Sequence, residues 1–196
     1  MDKILNIIER IIAFIFLLLS LPLFIVISFV IVFDLKSTPI FKQMRMGKNS
    51  KSFCIYKFRT LKPSSPDNIP TDAIEDYSEY STKFGLFLRS SSLDELPQLI
   101  NIIKGEMSFV GPRPVMLNEE ELNNKRTEVG IYTIRPGITG WSQINGRDTL
   151  EVEEKIRYDL EYLNKKSVMF DIYIIILTFV KVLKKEDVKT KKENRI

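Results

Sequence analysis

Two adjacent carboxylates, Asp94 and Glu95, are the side chains of this sequence best suited to do chemistry. They stand in the segment Ser-Leu-Asp-Glu-Leu-Pro-Gln, which leads into a short amphipathic stretch. The chain of 196 residues contains no histidine, so nucleophilic or acid–base work would fall to carboxylates of this kind. This composition excludes a Ser-His-Asp hydrolase, and the presence of only one cysteine, Cys54, argues against a structural zinc site.

Arg113 is the second candidate, because it lies between two prolines in Val-Gly-Pro-Arg-Pro. A turn without a ligand does not need an arginine held between two prolines. A phosphate site would benefit from it, because the planar guanidinium can bind two phosphate oxygens at once. Lys57 and Arg59 alternate with aromatic residues in Tyr-Lys-Phe-Arg-Thr, so on a strand both would face the same side. A solvated face is the alternative interpretation of these two cations.

A third segment, Pro-Gly-Ile-Thr-Gly-Trp-Ser-Gln-Ile-Asn-Gly, carries the only tryptophan and lies between Arg135 and Arg147. Glycine lets a backbone approach a ligand closely. Together with the carboxylate pair and the Pro-Arg-Pro segment, this loop predicts a site for phosphoryl chemistry.

The carboxylate pair also has a structural interpretation. Aspartate is a favoured N-cap residue, worth about 1 kcal/mol, and Ser92 with Glu95 matches a capping box. Pro97 is tolerated only near a helix start, which favours Asp94 as the N-cap. Capping needs only one carboxylate, however, and two neighbouring carboxylates repel each other. A Mg²⁺ ion between them and a diphosphate would relieve that repulsion.

The elements around the pair follow from residue patterns. Residues 40–47 and 51–60 predict the two strands of a β-hairpin, and residues 62–76, rich in Pro, Ser and Asp, predict a mobile surface loop. Residues 82–89 predict a short helix. After the pair, one apolar face with i, i+3, i+4, i+7 spacing predicts a further helix, which ends at Gly105; its members are Leu96, Leu99, Ile100 and Ile103.

Residues 11–33 form an uncharged apolar run between Arg10 and Asp34. At about 1.5 Å per residue, a helix of this length could just cross a hydrocarbon core of about 30 Å. The absence of a small-residue cleavage site after the run argues against a signal peptide.

Pro22 lies within this run, where it removes a backbone donor and kinks the helix, and Ser20 could satisfy a freed backbone group. Basic residues flank both ends of the run, so the positive-inside rule favours both ends in the cytoplasm. A re-entrant helix, which dips into the bilayer and returns on the same face, satisfies both observations. The heavier charge on the C-terminal side equally permits a single-pass anchor.

The remaining pattern completes an α+β fold that is mainly α. Residues 168–183 predict a helix too short to span a bilayer, either interfacial or buried in the core. We expect a membrane-inserted segment at residues 1–36, a catalytic domain with interfacial helices at 37–183, and a charged, disordered or lipid-facing tail at 184–196. Lys and Arg cluster beside the apolar segments, and the net charge is +4. This placement suits anionic lipid or phosphate-bearing substrates rather than nucleic acid.

These motifs together resemble the monotopic phosphoglycosyl transferases, the bacterial sugar-transferase family that starts glycan assembly on a polyprenol carrier. The resemblance covers almost the whole chain, from the membrane segment through Lys-Phe-Arg-Thr, Ser-Leu-Asp-Glu-Leu-Pro-Gln-Leu, Met-Ser-Phe-Val-Gly-Pro-Arg-Pro and Pro-Gly-Ile-Thr-Gly-Trp-Ser-Gln-Ile-Asn-Gly-Arg. It is closest to the minimal form of the family, without an additional N-terminal domain.

The resemblance implies a two-step transfer at the cytoplasmic face of the bacterial inner membrane. Asp94 would attack the β-phosphate of a UDP-sugar, release UMP and form a covalent phosphosugar intermediate, which polyprenol (undecaprenyl) phosphate then takes over. Mg²⁺ would bind at Asp94 with Glu95 assisting, and downstream glycosyltransferases would be further partners. The resemblance also implies substrate or phosphate contacts for the basic residues Arg113, Arg147, Arg89, Lys57 and Arg59.

In this family the membrane helix is re-entrant and breaks at a Ser-Pro pair, which favours the re-entrant path here. In this chain Leu21 separates Ser20 from Pro22, so the adjacency itself is absent. Two other functions stay open: a direct-transfer enzyme that uses Asp94 only as a metal ligand, and a non-catalytic membrane scaffold for glycan assembly.

Overall fold

The computed structural model describes residues 2–65, 80–146 and 149–184. Its architecture is α+β and mainly helical, as the sequence predicts. Residues 66–79, which include positions 66–76 of the predicted loop, lie outside the described residues, as do Arg147 and the charged tail beyond Lys184. The elements in chain order are α1 (Asp2–Leu35), β1 (Ile40–Met46), β2 (Ser52–Phe58), α2 (Lys83–Ser90), α3 (Gln98–Lys104), β3 (Ser108–Val110), α4 (Glu120–Glu128), β4 (Gly137–Thr139), α5 (Trp141–Ile144), α6 (Val152–Lys165) and α7 (Val168–Lys184).

Helix α1 is one continuous element that passes through Pro22. The Ser20 hydroxyl donates to the carbonyl of Leu17 at 3.1 Å, one residue before the Leu18 carbonyl that Pro22 cannot bond. Among the helices of the described residues, α1 is the one that is long and apolar enough to cross a membrane. The re-entrant path through a bilayer stays a prediction.

Both ends of α1 are bound to the rest of the protein. Near its N-terminus, the Arg135 guanidinium donates to Asn6 Oδ1 at 2.5 Å and to the Glu9 carboxylate. Near its C-terminus, the Thr82 hydroxyl donates to Asp34 at 2.5 Å. The helix therefore lies along the domain instead of leaving it at one end. Its outer face stays apolar and exposed, through Ile4, Ile11, Leu19, Ile25, Phe29 and Phe33.

Strands β1 and β2 form the predicted antiparallel hairpin, in which Lys42 lies opposite Tyr56. The fully buried side chain of Asn101 on α3 fixes this hairpin to the helix. Asn101 accepts a hydrogen bond from the Tyr56 amide at 3.1 Å and donates to the Cys54 carbonyl and to Glu106, both at 2.7 Å. Because one side chain satisfies backbone groups of β2 from α3, the residues before α3 are held against that strand.

Helices α2 and α7 form where the sequence predicts them, and α3 ends where the sequence predicts. Gly105 ends α3 with φ of 80°, the left-handed conformation expected of a C-terminal glycine. On α7, Ile174 is fully buried, whereas Met169 and Phe179 are exposed by 77% and 65%. This helix thus combines the two predicted alternatives, since one face packs into the core and an equally apolar face stays uncovered.

Candidate active site

The carboxylate pair lies in a short 3-10 turn, Leu93–Glu95, that precedes α3. Helix α3 begins only at Gln98, so the prediction that Asp94 is its N-cap is wrong. The Leu93 carbonyl accepts from the Leu96 amide at 3.2 Å, and the Leu96 carbonyl accepts from the Leu99 amide at 3.1 Å. These three-residue hydrogen bonds tighten the chain before α3, so Asp94 lies inside a 3-10 turn and not at the helix start.

The predicted capping box is also absent. Ser92 adopts the left-handed conformation, with φ of 56° and ψ of 15°, and its side chain makes no capping hydrogen bond. The chain therefore turns sharply just before the pair. Asp94 and Glu95 are nonetheless buried, with only 8% and 6% of their surfaces exposed.

Two cations converge on the carboxylate of Glu95. The Lys57 ammonium lies 2.8 Å from Glu95 Oε1, and an Arg113 terminal nitrogen lies 3.5 Å from the same oxygen. Burial lowers the pKa of Lys57 and Arg113 acts in the same direction, while Glu95 opposes both. The structure thus joins three predicted site residues and places both cations beside Glu95.

The other predicted basic residues occupy different positions. Arg59 follows the last residue of β2, so it does not share the environment of Lys57 as strand alternation predicts. Its guanidinium donates to the Thr38 carbonyl at 3.1 Å and lies over the Phe41 ring at 5.8 Å. Arg89 is half-buried in the last turn of α2, close in sequence to the pair. The structure therefore brings Lys57 and Arg113 to Glu95 and places Arg59 against Thr38 and Phe41.

A groove of about 1080 Å³ follows the outer edge of β1. Its lining includes Arg59, Phe41 and Tyr56, but neither Asp94 nor Glu95. Its volume is typical of small-molecule sites. The chemistry of the buried carboxylates, rather than the size of this groove, therefore identifies the candidate active site.

The segment that carries Arg113 is held through its backbone. After β3, the Gly111 amide donates to the Thr139 carbonyl at 2.9 Å, and the Gly137 amide donates to the Pro112 carbonyl at 3.0 Å. Strands β3 and β4 pair in parallel, which aligns the two loops. These backbone hydrogen bonds fix the Pro-Arg-Pro segment to the strand pair, with the Arg113 guanidinium 3.5 Å from Glu95.

The glycines of the tryptophan loop serve this packing. A Cβ on Gly137 would lie 2.1 Å from the Gly111 nitrogen, and one on Gly140 would lie 2.1 Å from the Gly111 oxygen. Trp141 itself donates to Glu161 at 2.9 Å. We expected these glycines to let the backbone approach a ligand, whereas the backbone they approach is that of the neighbouring loop.

Replacing Gly137 with alanine should lower the free energy of unfolding by about 3 kcal/mol, because the new methyl group meets rigid backbone atoms. Alanine at Gly130 is the matched control, since its Cβ meets nothing within 4 Å and only the positive φ of 75° opposes it. That control should lose about 1 kcal/mol. Thermal unfolding of both variants in detergent measures the difference, and equal losses would contradict the packing role.

Two residues near Arg113 belong to none of the motifs described above. Arg126 on α4 and Asp159 on α6 form a buried ion pair, and Arg126 also donates to the Arg113 carbonyl at 2.6 Å. Helix α4 carries one apolar residue, Leu122, four positions before Arg126, and a single apolar residue does not mark a buried face. Asp159 did leave a signal, because it lies three residues from both Ile156 and Tyr162 on the apolar face of α6, where a charge needs a partner.

The donor set bears on the predicted metal. No group of three or more Asp, Glu, Cys or His side chains within the described ranges could form a protein cage for an ion. Mg²⁺ commonly uses one or two carboxylates, waters and substrate phosphates instead. Asp94 fits such a site. Glu95 fits less well, because Lys57 and Arg113 already approach its Oε1.

Comparison with known proteins gives one family model and several similar proteins. The family model for bacterial sugar transferases matches residues 2–185. The UDP-glucose:undecaprenyl-phosphate glucose-1-phosphate transferase of Escherichia coli K12 is 40% identical over 180 residues, which cover 88% of this chain and 39% of that protein. EpsL of Bacillus subtilis 168, described as an uncharacterized sugar transferase, is 38% identical over 180 residues, covering 90% and 86%. ExoY of Rhizobium meliloti 1021, an exopolysaccharide production protein, is 37% identical over 176 residues, covering 83% and 77%. The chain thus spans about two fifths of the first relative and most of the other two.

Proposed function

Because this chain belongs to the bacterial sugar transferase family, we propose that it moves a sugar 1-phosphate from a UDP-sugar to polyprenol phosphate and releases UMP. The name of the E. coli relative supports an undecaprenyl phosphate acceptor and a nucleotide-sugar donor. The observation that carries the proposal is the buried pair Asp94–Glu95 with two cations beside it.

We further propose that Asp94 is the nucleophile. One carboxylate oxygen attacks the β-phosphorus of the donor, the bond between that phosphorus and the bridging oxygen breaks, and UMP leaves with the electron pair. An oxygen of polyprenol phosphate then attacks the same phosphorus, and the bond to Asp94 breaks to give a polyprenol diphosphate sugar. A covalent route of this kind divides one difficult displacement into two easier ones. The absence of histidine supports a carboxylate in this role.

Arg113 and Lys57 supply positive charge where charge develops on the transferring phosphoryl group. A guanidinium can bind phosphate oxygens through two parallel hydrogen bonds, and a buried ammonium acts more strongly than one in water. Glu95 holds both cations in place, at 2.8 Å and 3.5 Å. In this scheme Glu95 is a positioning group, and Asp94 is the reacting one.

Mg²⁺ is a proposed cofactor at Asp94, where phosphate oxygens of the donor would complete its coordination. When bound, the ion would neutralise charge on the diphosphate and favour departure of UMP.

The apolar faces support a position at the membrane. Helix α1 and α7 each bury one face and leave a second apolar face uncovered, as expected for helices that contact lipid. Because Glu9 and Asp34 of α1 both contact the same domain, a perpendicular crossing with the domain on one side is incompatible with these contacts. This supports the re-entrant path, and we propose the cytoplasmic face, where UDP-sugars and downstream glycosyltransferases would be available.

The test is UMP release by the purified chain in lipid nanodiscs with Mg²⁺, across a panel of UDP-sugars. We expect release with one or a few donors and only when undecaprenyl phosphate is present for repeated turnover. A variant at the exposed residue Glu128, Glu128→Gln, serves as the control with unchanged activity. No UMP from any donor would contradict the proposal and favour a non-catalytic scaffold.

A further inference from the structure

We propose that the buried ion pair of Arg126 and Asp159 positions Arg113, and thereby sets how the site engages the phosphate groups of the donor. This inference rests on the proposed function, in which Arg113 binds phosphate. Neither Arg126 nor Asp159 needs to touch the substrate, so both would act as positioning residues.

Two hydrogen bonds of the Arg126 guanidinium carry this proposal. One terminal nitrogen donates to the Arg113 carbonyl at 2.6 Å, and the other donates to Asp159 Oδ2 at 2.5 Å. The second carboxylate oxygen of Asp159 accepts from the Ser142 hydroxyl at 2.9 Å. The two charged side chains are only 3% and 1% exposed. The pair thus links α4, α5 and α6 to one backbone atom of the Arg113 segment.

The segment needs this kind of support. Pro112 and Pro114 have no N–H, so carbonyl groups must carry most of its backbone hydrogen bonds. The Pro114 carbonyl accepts from Arg45 at 3.3 Å, next to the carbonyl that Arg126 holds. Arg126 and Arg45, from different elements, therefore donate to the consecutive carbonyls of Arg113 and Pro114. With the backbone held from that side, the Arg113 guanidinium lies 3.5 Å from Glu95.

Stability alone does not explain this arrangement. A buried ion pair is weak support for stability, because desolvation offsets its attraction, and such pairs can be retained to specify one geometry. The Nε of Arg126 is buried without a hydrogen-bond partner among the residues that the structure describes. A residue selected only to tie α4 to α6 would not need its second nitrogen on the Arg113 carbonyl.

The first test compares Arg126→Lys and Asp159→Asn with a matched control on the same two helices. Lys125 of α4 pairs with Glu153 of α6 at 2.5 Å, but this pair is exposed. Lysine at 126 keeps a charge beside Asp159 but lacks the planar fork that reaches both partners. We expect kcat/KM for the donor to fall about 10- to 100-fold in both variants and to stay unchanged in Lys125→Gln. Unchanged kcat/KM in a folded Arg126→Lys variant would overturn the proposal, and that variant decides the matter if Asp159→Asn does not fold.

A double-mutant cycle separates positioning from general destabilisation. If Asp159 acts through Arg113, then Asp159→Asn should cost little once Arg113→Ala has removed the guanidinium. Losses that multiply in the double variant would show that the pair acts elsewhere, and would overturn the proposal.

Hydrogen–deuterium exchange provides a readout that does not depend on activity. Peptides covering residues 108–117 should exchange faster in Arg126→Lys than in wild type, and at the wild-type rate in Lys125→Gln. If wild type releases no UMP, the proposed function fails while exchange still tests the positioning. Unaltered exchange in Arg126→Lys, with wild-type UMP release intact, would overturn the positioning alone.

Discussion

Replacing Asp94 with asparagine should reduce UMP release by about a thousandfold or more, the scale of loss expected when a covalent nucleophile is removed. Asparagine has nearly the same shape, so the buried 3-10 turn should persist. What it lacks is the anionic oxygen that attacks phosphorus. No histidine in the chain could take over the attack.

Intact-protein mass spectrometry checks this result directly. Wild type incubated with the active UDP-sugar, without acceptor, should gain the mass of one phosphosugar, and Asp94→Asn should gain none. Adding polyprenol phosphate should remove the adduct. Full turnover by wild type with no adduct at any time would instead support direct transfer, with Asp94 as a metal ligand only. Glu128→Gln, exposed on α4, should form the adduct like wild type.

Replacing Glu95 with glutamine should lower kcat by about a hundredfold, comparable with the loss of one group that organises charge in an active site. Glutamine keeps the volume but removes the negative charge that Lys57 and Arg113 share at Oε1. Lys57 and Arg113 would then lose the carboxylate that both contact, with Asp94 the remaining anion nearby, and both would shift from their positions beside the donor.

The Mg²⁺ dependence of the Glu95→Gln variant distinguishes the two roles considered for this residue. If Glu95 positions the cations, the Mg²⁺ concentration for half-maximal UMP release should match that of wild type, and excess Mg²⁺ should not restore activity. A large rise in that concentration, with recovery at high Mg²⁺, would identify Glu95 as a metal ligand. The exposed Glu128→Gln variant again controls for charge alone.

Local patterns predicted much of the fold because they report which face of an element is buried. Alternation in the hairpin located β1 and β2, and the spacing of Leu96, Leu99, Ile100 and Ile103 located α3. That spacing did not give the buried face of α3 fully, because Ile102 is completely buried whereas Ile100 and Ile103 are half-buried. Local patterns gave wrong predictions at two places, the N-cap at Asp94 and the strand position of Arg59. The amides before α3 make three-residue hydrogen bonds, so Asp94 lies inside a 3-10 turn instead of capping the helix. Arg59 lies beyond the end of β2, where strand alternation no longer applies.

The sequence by itself determined the chemistry available to this protein: a carboxylate pair, a proline-flanked arginine, no histidine and an apolar segment beside them. Only the tertiary structure decided which of these groups meet. Lys57 reaches Glu95 from a strand, Arg113 arrives from a loop, and Arg126 supports that loop from a helix without apolar periodicity. The physical reason is that residue type and spacing are local, whereas a shared oxygen or carbonyl depends on how distant elements pack.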